Sequence, residues 1–91
     1  VYLGYVVVVG NNCLFAVQVG IGGKTIIEDN VTLYGQVGVA QSIRIGANAV
    51  VLAKSGVSKT LAGGKTYFGT PAIEARQYYR EIAMVRMLAK K

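Results

Sequence analysis

Every sixth residue from Leu3 onward is large and apolar: Leu3, Val9, Phe15, Ile21, Ile27, Leu33, Val39, Ile45, Val51 and Val57. That period fits neither the 3.6-residue repeat of an α-helix nor the two-residue alternation of an ordinary strand. It fits a chain that turns a corner after each short strand and stacks its turns into a solenoid. Four residues after each large apolar residue comes a smaller or β-branched one in most repeats: Val7, Cys13, Val19, Thr25, Val31, Val37, Ile43, Ala49, Ser55 and Leu61. These two sets are the expected inward positions. Glycine follows the large residue directly at Gly4, Gly10, Gly22 and Gly46, where the chain is expected to bend between sides.

A longer period lies over the short one. Gln18-Val19-Gly20-Ile21, Gln36-Val37-Gly38-Val39 and Lys54-Ser55-Gly56-Val57 recur every 18 residues, so three six-residue sides make one coil. A side of six residues spans roughly 20 Å, and three close a triangular prism. The chain therefore reads as mainly β, a parallel β-helix of about three coils over residues 1–62. Val1 already occupies a small-residue position, which suggests a solenoid entered in mid-register with an unprotected first edge. The repeat fails after Ala62. Residues 63–70 read as a loop, Thr70 and Pro71 as an N-cap and first helical residue, and 71–91 as a C-terminal α-helix, all within one domain. Tyr78, Ile82, Val85 and Ala89 form one apolar stripe on that helix, with Ile73, Met84 and Leu88 on a second. Two stripes predict contacts on two sides, one of them with symmetry mates.

Several chemistries are excluded. Histidine is absent, which removes an imidazole base and the usual zinc sets, and no metal or cofactor is expected. GGKT at Gly22–Thr25 and Gly63–Thr66 invites a phosphate-loop reading, but that motif needs an earlier glycine where Gln18 and Lys59 stand. Asn30-Val31-Thr32 is a glycosylation sequon inside a repeat, without a secretion signal in VYLGY. Cys13 is alone and inward, an inert thiol consistent with a cytoplasmic protein. Glu28 and Asp29 are neighbours pointing to different sides, and read as solvated corner residues. No apolar run approaches the roughly 18 residues of a membrane span. Ten Lys and Arg against four Asp and Glu give a formal charge of +6, which favours anionic partners. Arg76, Arg80, Arg86, Lys90 and Lys91 come without a nucleic-acid motif, and read as solvated or as complementing the helix dipole.

Stacking the sequence in columns of 18 isolates one anomaly. Tyr2 heads a column of Gly20, Gly38 and Gly56; Tyr5 stands over Gly23, Gln41 and Lys59; Val6 stands over Lys24, Ser42 and Thr60. Tyr2, Tyr5, Val6 and Val8 thus make an outward apolar patch confined to the first coil, and a patch of this kind calls for a cover. With Tyr78, Ile82 and Val85 they are the expected interface residues.

The hexads, GNNCLFAVQVGIGG (Gly10–Gly23), GQVGVA (Gly35–Ala40) and above all GGKTYFGTPAIEAR (Gly63–Arg76) resemble the C-terminal part of the UDP-3-O-acylglucosamine N-acyltransferase family of lipid A biosynthesis. The resemblance implies a left-handed β-helix assembled as a homotrimer. It also implies transfer of a 3-hydroxyacyl group from acyl carrier protein to a glucosamine amine in clefts between subunits. Lys54, Lys59, Lys65, Arg76 and Arg80 are then candidate contacts for the acidic carrier. The family's histidine base falls on Tyr5, and the second histidine of some members falls near Ser42. A phenol, mostly protonated at neutral pH, replaces imidazole poorly. Hence the sequence reading favours an engineered or repurposed trimeric scaffold, open to larger self-assembly and without catalysis, and Tyr5→His alone is expected to recover little activity. The alternative is an acyltransferase fragment whose full-length parent acylates UDP-3-O-acylglucosamine.

Overall fold

The computed structural model describes residues 1–90. Its strands are two residues long through ten repeats and lie on three faces of a prism. Face A carries β1 (Tyr2–Leu3), β4 (Gly20–Ile21), β7 (Gly38–Val39) and β10 (Gly56–Val57). Face B carries β2 (Val8–Val9), β5 (Ile26–Ile27) and β8 (Arg44–Ile45). Face C carries β3 (Leu14–Phe15), β6 (Thr32–Leu33), β9 (Val50–Val51), β11 (Thr66–Phe68) and β12 (Ile73–Glu74). Except for β12, all pairing is parallel, and in the first coils the register offset is 18, as in Tyr2↔Gly20 and Leu3↔Ile21. Coils are joined by backbone bonds such as Gly20 N–H to Val37 O, 3.0 Å.

The inward sets form one core. Val19, Ile21, Ile27, Val31, Leu33, Val37, Ile45, Ala49 and Val51 are each at most 1% exposed. Thr25 and Ser55, the polar inward residues, are satisfied: Thr25 Oγ1 donates to Ala40 O (2.8 Å), and Ser55 Oγ accepts from Gly69 N–H (3.2 Å). In the first coil the same inward positions are covered on one side only, so Leu3 is 48% and Val9 37% exposed. Cys13 is half-buried for the same reason, its Sγ 3.1 Å from Glu28 O.

The corners correct the sequence reading. Each bend is carried two residues after the glycine position, by a non-glycine residue with φ near +60°: Val6, Asn12, Gln18, Lys24, Asn30, Gln36, Ser42, Asn48 and Lys54. Left-handed backbone at the second central residue is what a type II turn requires. Gly22 serves a different need, because a Cβ there would lie 2.6 Å from the backbone nitrogen of Gln41 in the next coil.

After β10 the offset shortens to 16. Leu61 bridges to Ile45 and is buried, and Thr66–Tyr67 pairs with Val50–Val51. A fourth coil is thereby completed where a loop over 63–70 was expected: Gly63–Gly64 is its corner and β11 its third side. Tyr67 fills the last core layer and donates its hydroxyl to Ala62 O (2.9 Å). Burial raises its phenol above the ordinary value. The helix also starts later than expected. Thr70 and Pro71, joined by a cis peptide, lie in a turn, and Ile73–Glu74 pairs antiparallel with Tyr67–Phe68. Those backbone groups belong to the sheet, so α1 (Ala75–Ala89) begins at Ala75, with Glu74 as N-cap and no side-chain cap. Lys91, in the expected helix and basic cluster, lies outside the described residues.

Candidate functional site

The A–B corner of the prism gathers Tyr5 and Ser42, the two positions expected from the resemblance to stand in place of histidines. Tyr5-Val6, Gly23-Lys24 and Gln41-Ser42 stack there through Lys24 N–H to Tyr5 O and Ser42 N–H to Gly23 O, both 2.9 Å. Tyr5 and Ser42 therefore share one edge, two coils apart. Both point outward, and Tyr5 is 85% exposed. Lys24 lies between them and is exposed. Deprotonating an amine as it attacks a thioester needs a base held within hydrogen-bond reach of the amine. This edge offers a phenol, an ammonium and a hydroxyl in that place.

Tyr2, Tyr5, Val6 and Val8 do converge: they run from face A around the A–B corner to face B. All four are more than half exposed. Leu14 (59% exposed) and Val17 (75%) extend the apolar surface to face C and the next corner. The first coil is thus ringed with apolar residues, wider than the four-residue patch. The Val17-Gly35-Ala53 column singles out Val17 in the same way, whereas Leu14 shares its column with Thr32 and Val50. Val6 adds a second anomaly, since a β-branched residue at φ 58° is strained.

The five candidate carrier contacts do not form one patch on a single chain. Lys54, Lys59 and Lys65 sit on three different corners, between β9 and β10, between β10 and Leu61, and between Leu61 and β11. Arg76 and Arg80 are one turn apart on α1 and share a shallow groove with Glu74, Gln77, Glu81 and Met84. Tyr78, Ile82 and Val85, expected at an interface, lie on α1, beyond the last coil and far from the first-coil ring along a molecule about 50 Å long and 21 Å wide. Phe68, Tyr78 and Tyr79 form an aromatic cluster at the helix root, with Phe68 and Tyr78 edge-to-face at 4.9 Å.

The remaining charged pair is structural. Glu28 binds the Arg44 guanidinium and accepts the Ala47 N–H (3.0 Å), and these contacts hold its carboxyl below the usual carboxylate range. Asp29 Oδ1 accepts the Asn11 N–H at 2.8 Å. Neither GGKT run precedes a helix; both supply corner residues, with Lys24 and Gly64 left-handed. Among the described residues, no cluster of three His, Cys, Asp or Glu side chains is placed to hold a metal, and no helix is long and apolar enough to cross a membrane.

No family model matches the chain. It is 40% identical over all 91 residues to the UDP-3-O-acylglucosamine N-acyltransferase of Methylobacterium sp. (strain 4-46), and 36% identical over 92 positions to that of Campylobacter curvus. The chain spans only 26% and 29% of those two proteins. Among solved structures it is similar to a hexapeptide-repeat containing acetyltransferase of Vibrio cholerae, crystallised with acetyl coenzyme A. The TM-score is 0.52 at 19% identity, covering 80% of this chain and 68% of that one, a likeness of fold alone.

Proposed function

We propose that this chain is the β-helical, acyl-donor-binding part of an N-acyltransferase of lipid A biosynthesis, working in the cytoplasm as a homotrimer with its clefts between subunits. The observation that carries the reading is 40% identity to a UDP-3-O-acylglucosamine N-acyltransferase across the whole chain. That likeness places the acyltransferase reading ahead of the engineered-scaffold reading. In the proposed reaction the glucosamine amine attacks the thioester carbonyl of a 3-hydroxyacyl carrier protein. The amide forms, the carrier's thiol leaves, and the amine proton passes to a base.

Tyr5 stands where the resemblance puts that base, so the proposed role of this chain is to bind the acylated carrier and assemble, with transfer itself weak. Three-fold repetition brings the separated cations of neighbouring subunits around each cleft. Lys54, Lys59, Lys65, Arg76 and Arg80 are the proposed contacts for the acidic carrier. The test is binding of acylated carrier protein with mass measured in parallel. A trimer whose carrier affinity falls with added salt, and falls further in Arg76→Glu with Arg80→Glu, fits the proposal. A trimer with no measurable affinity for the carrier returns the scaffold reading to first place.

A further inference from the structure

Two grooves run along α1, and they differ in charge. The one shared by Arg76 and Arg80 also holds Glu74 and Glu81, so its cations have carboxylates beside them. The other, of about 670 Å³, runs from the aromatic cluster at the helix root to the last helical turn and has no acidic residue in its lining. Arg86 and Lys90, one turn apart, stand at its far end and make no ion pair among the described residues. Its walls are otherwise apolar: Phe68 and Tyr78 at the root, then Tyr79, Ala83 and Met87 along the helix. Tyr79 is 54% and Met87 67% exposed, and apolar surface gathered in a groove in this way marks a binding site.

These features define an occupant. Paired cations at one end call for an anionic head, and Met87, Ala83 and Tyr79 call for an apolar tail. From Tyr79 to Lys90 the helix rises roughly 16 Å, enough for an extended chain of about a dozen carbons. A planar base fits poorly, because the rings are turned on each other: Phe68 and Tyr78 meet edge-to-face at 4.9 Å, Tyr79 lies 6.0 Å from each, and no two of the three stand parallel. A flexible tail needs no such slot, and the thioether of Met87 adapts to it.

The geometry points to a binding site for one free fatty-acid anion in this groove, its carboxylate between Arg86 and Lys90 and its tail laid over Met87, Ala83 and Tyr79 toward Phe68. The site is on the helix, apart from the A–B edge and from the cations proposed to meet the carrier, and it does not depend on the acyl-transfer reading. Burial of the tail supplies the affinity, and the two cations set the direction in which it lies.

Calorimetric titration of the full chain with laurate, kept below its micelle concentration, tests the site, with butyrate as a head that has no tail. Saturable binding of one laurate per chain, weakened by salt, is expected, and none of butyrate. Ala83→Trp fills the groove, and Met87→Glu sets a carboxylate beside the tail; each should abolish binding while helical ellipticity stays that of the parent. Arg86→Gln with Lys90→Gln should weaken laurate about tenfold and remove the salt dependence. Met84→Trp, in the other groove, should leave the affinity unchanged. A parent chain that takes up no laurate, an affinity insensitive to the loss of both cations, or binding that survives in either groove-blocking variant with its helix intact overturns the site.

Discussion

The first coil and the coils stacked on it share one backbone path and one inward pattern, yet turn different surfaces outward. Where the later coils present Gly20, Lys24 and Ser42, the first presents Tyr2 and Val6, whereas Val8 stands in a column with Ile26 and Arg44. The two regions separate two kinds of information. Inward residues decide that the chain winds into a prism; outward residues decide what the prism meets. An outward face can change from polar to apolar without disturbing the winding, because the backbone ladder between coils does not depend on it and side-chain bonds such as Asp29 to Asn11 N–H only add to that ladder.

The sharpest contrast comes from making one substitution in two coils. Leu33 is fully buried, so Leu33→Ala should cost about 2–5 kcal/mol in chemical denaturation. Leu3 occupies the same inward position with a coil on one side only, and Leu3→Ala should cost less than half as much. Equal losses would mean that the open side of the first coil is covered as completely as the interior.

A smaller contrast lies in the corners. Val6 and Asn30 hold the same left-handed conformation, which asparagine tolerates and valine does not. Val6→Asn should stabilise the dilute chain by about 1 kcal/mol, and Asn30→Val should cost a similar amount. A stabilised fold with weakened association would show that the strain at Val6 is retained for contact. At the closed end of the prism, Tyr67→Phe should cost about 1 kcal/mol, by removing the hydroxyl bond to Ala62.

The smallest effect expected is a pH dependence. Arg44 and Ala47 lower the folded-state pKa of Glu28, so its contribution is present above the unfolded value and lost as pH falls through the folded one. Arg44→Ala should flatten the stability profile slightly at acid pH in thermal melts. An unchanged profile would mean that this exposed pair contributes nothing.

Most of the prism was legible because the larger of the two inward positions is apolar in every repeat: Ile27, Leu33 and Val51 identify their columns unaided. The fourth coil was hidden by the change of offset from 18 to 16, which moves Leu61 from a small-residue slot into the column of Ile27 and Ile45. The helix start was misread because Thr70-Pro71 has the chemistry of a cap. Pairing of Ile73–Glu74 with β11, a contact outside any local pattern, claims those residues first. The bend was assigned to glycine, although the left-handed turn falls on residues as different as Asn12, Gln18 and Lys54. At the candidate site, the columns located the Tyr5 edge and the apolar patch. The scatter of Lys54, Lys59 and Lys65 over three corners appears only once the prism is closed.

The apolar ring of the first coil is expected to be a contact surface between chains. Val6→Lys with Val8→Lys puts two charges into that ring and leaves Val7 and Val9 facing the core. Solution mass and circular dichroism of this double variant should show a smaller assembly with the β-sheet signal of the parent, whereas an assembly of unchanged mass would place the ring in solvent and contradict the account.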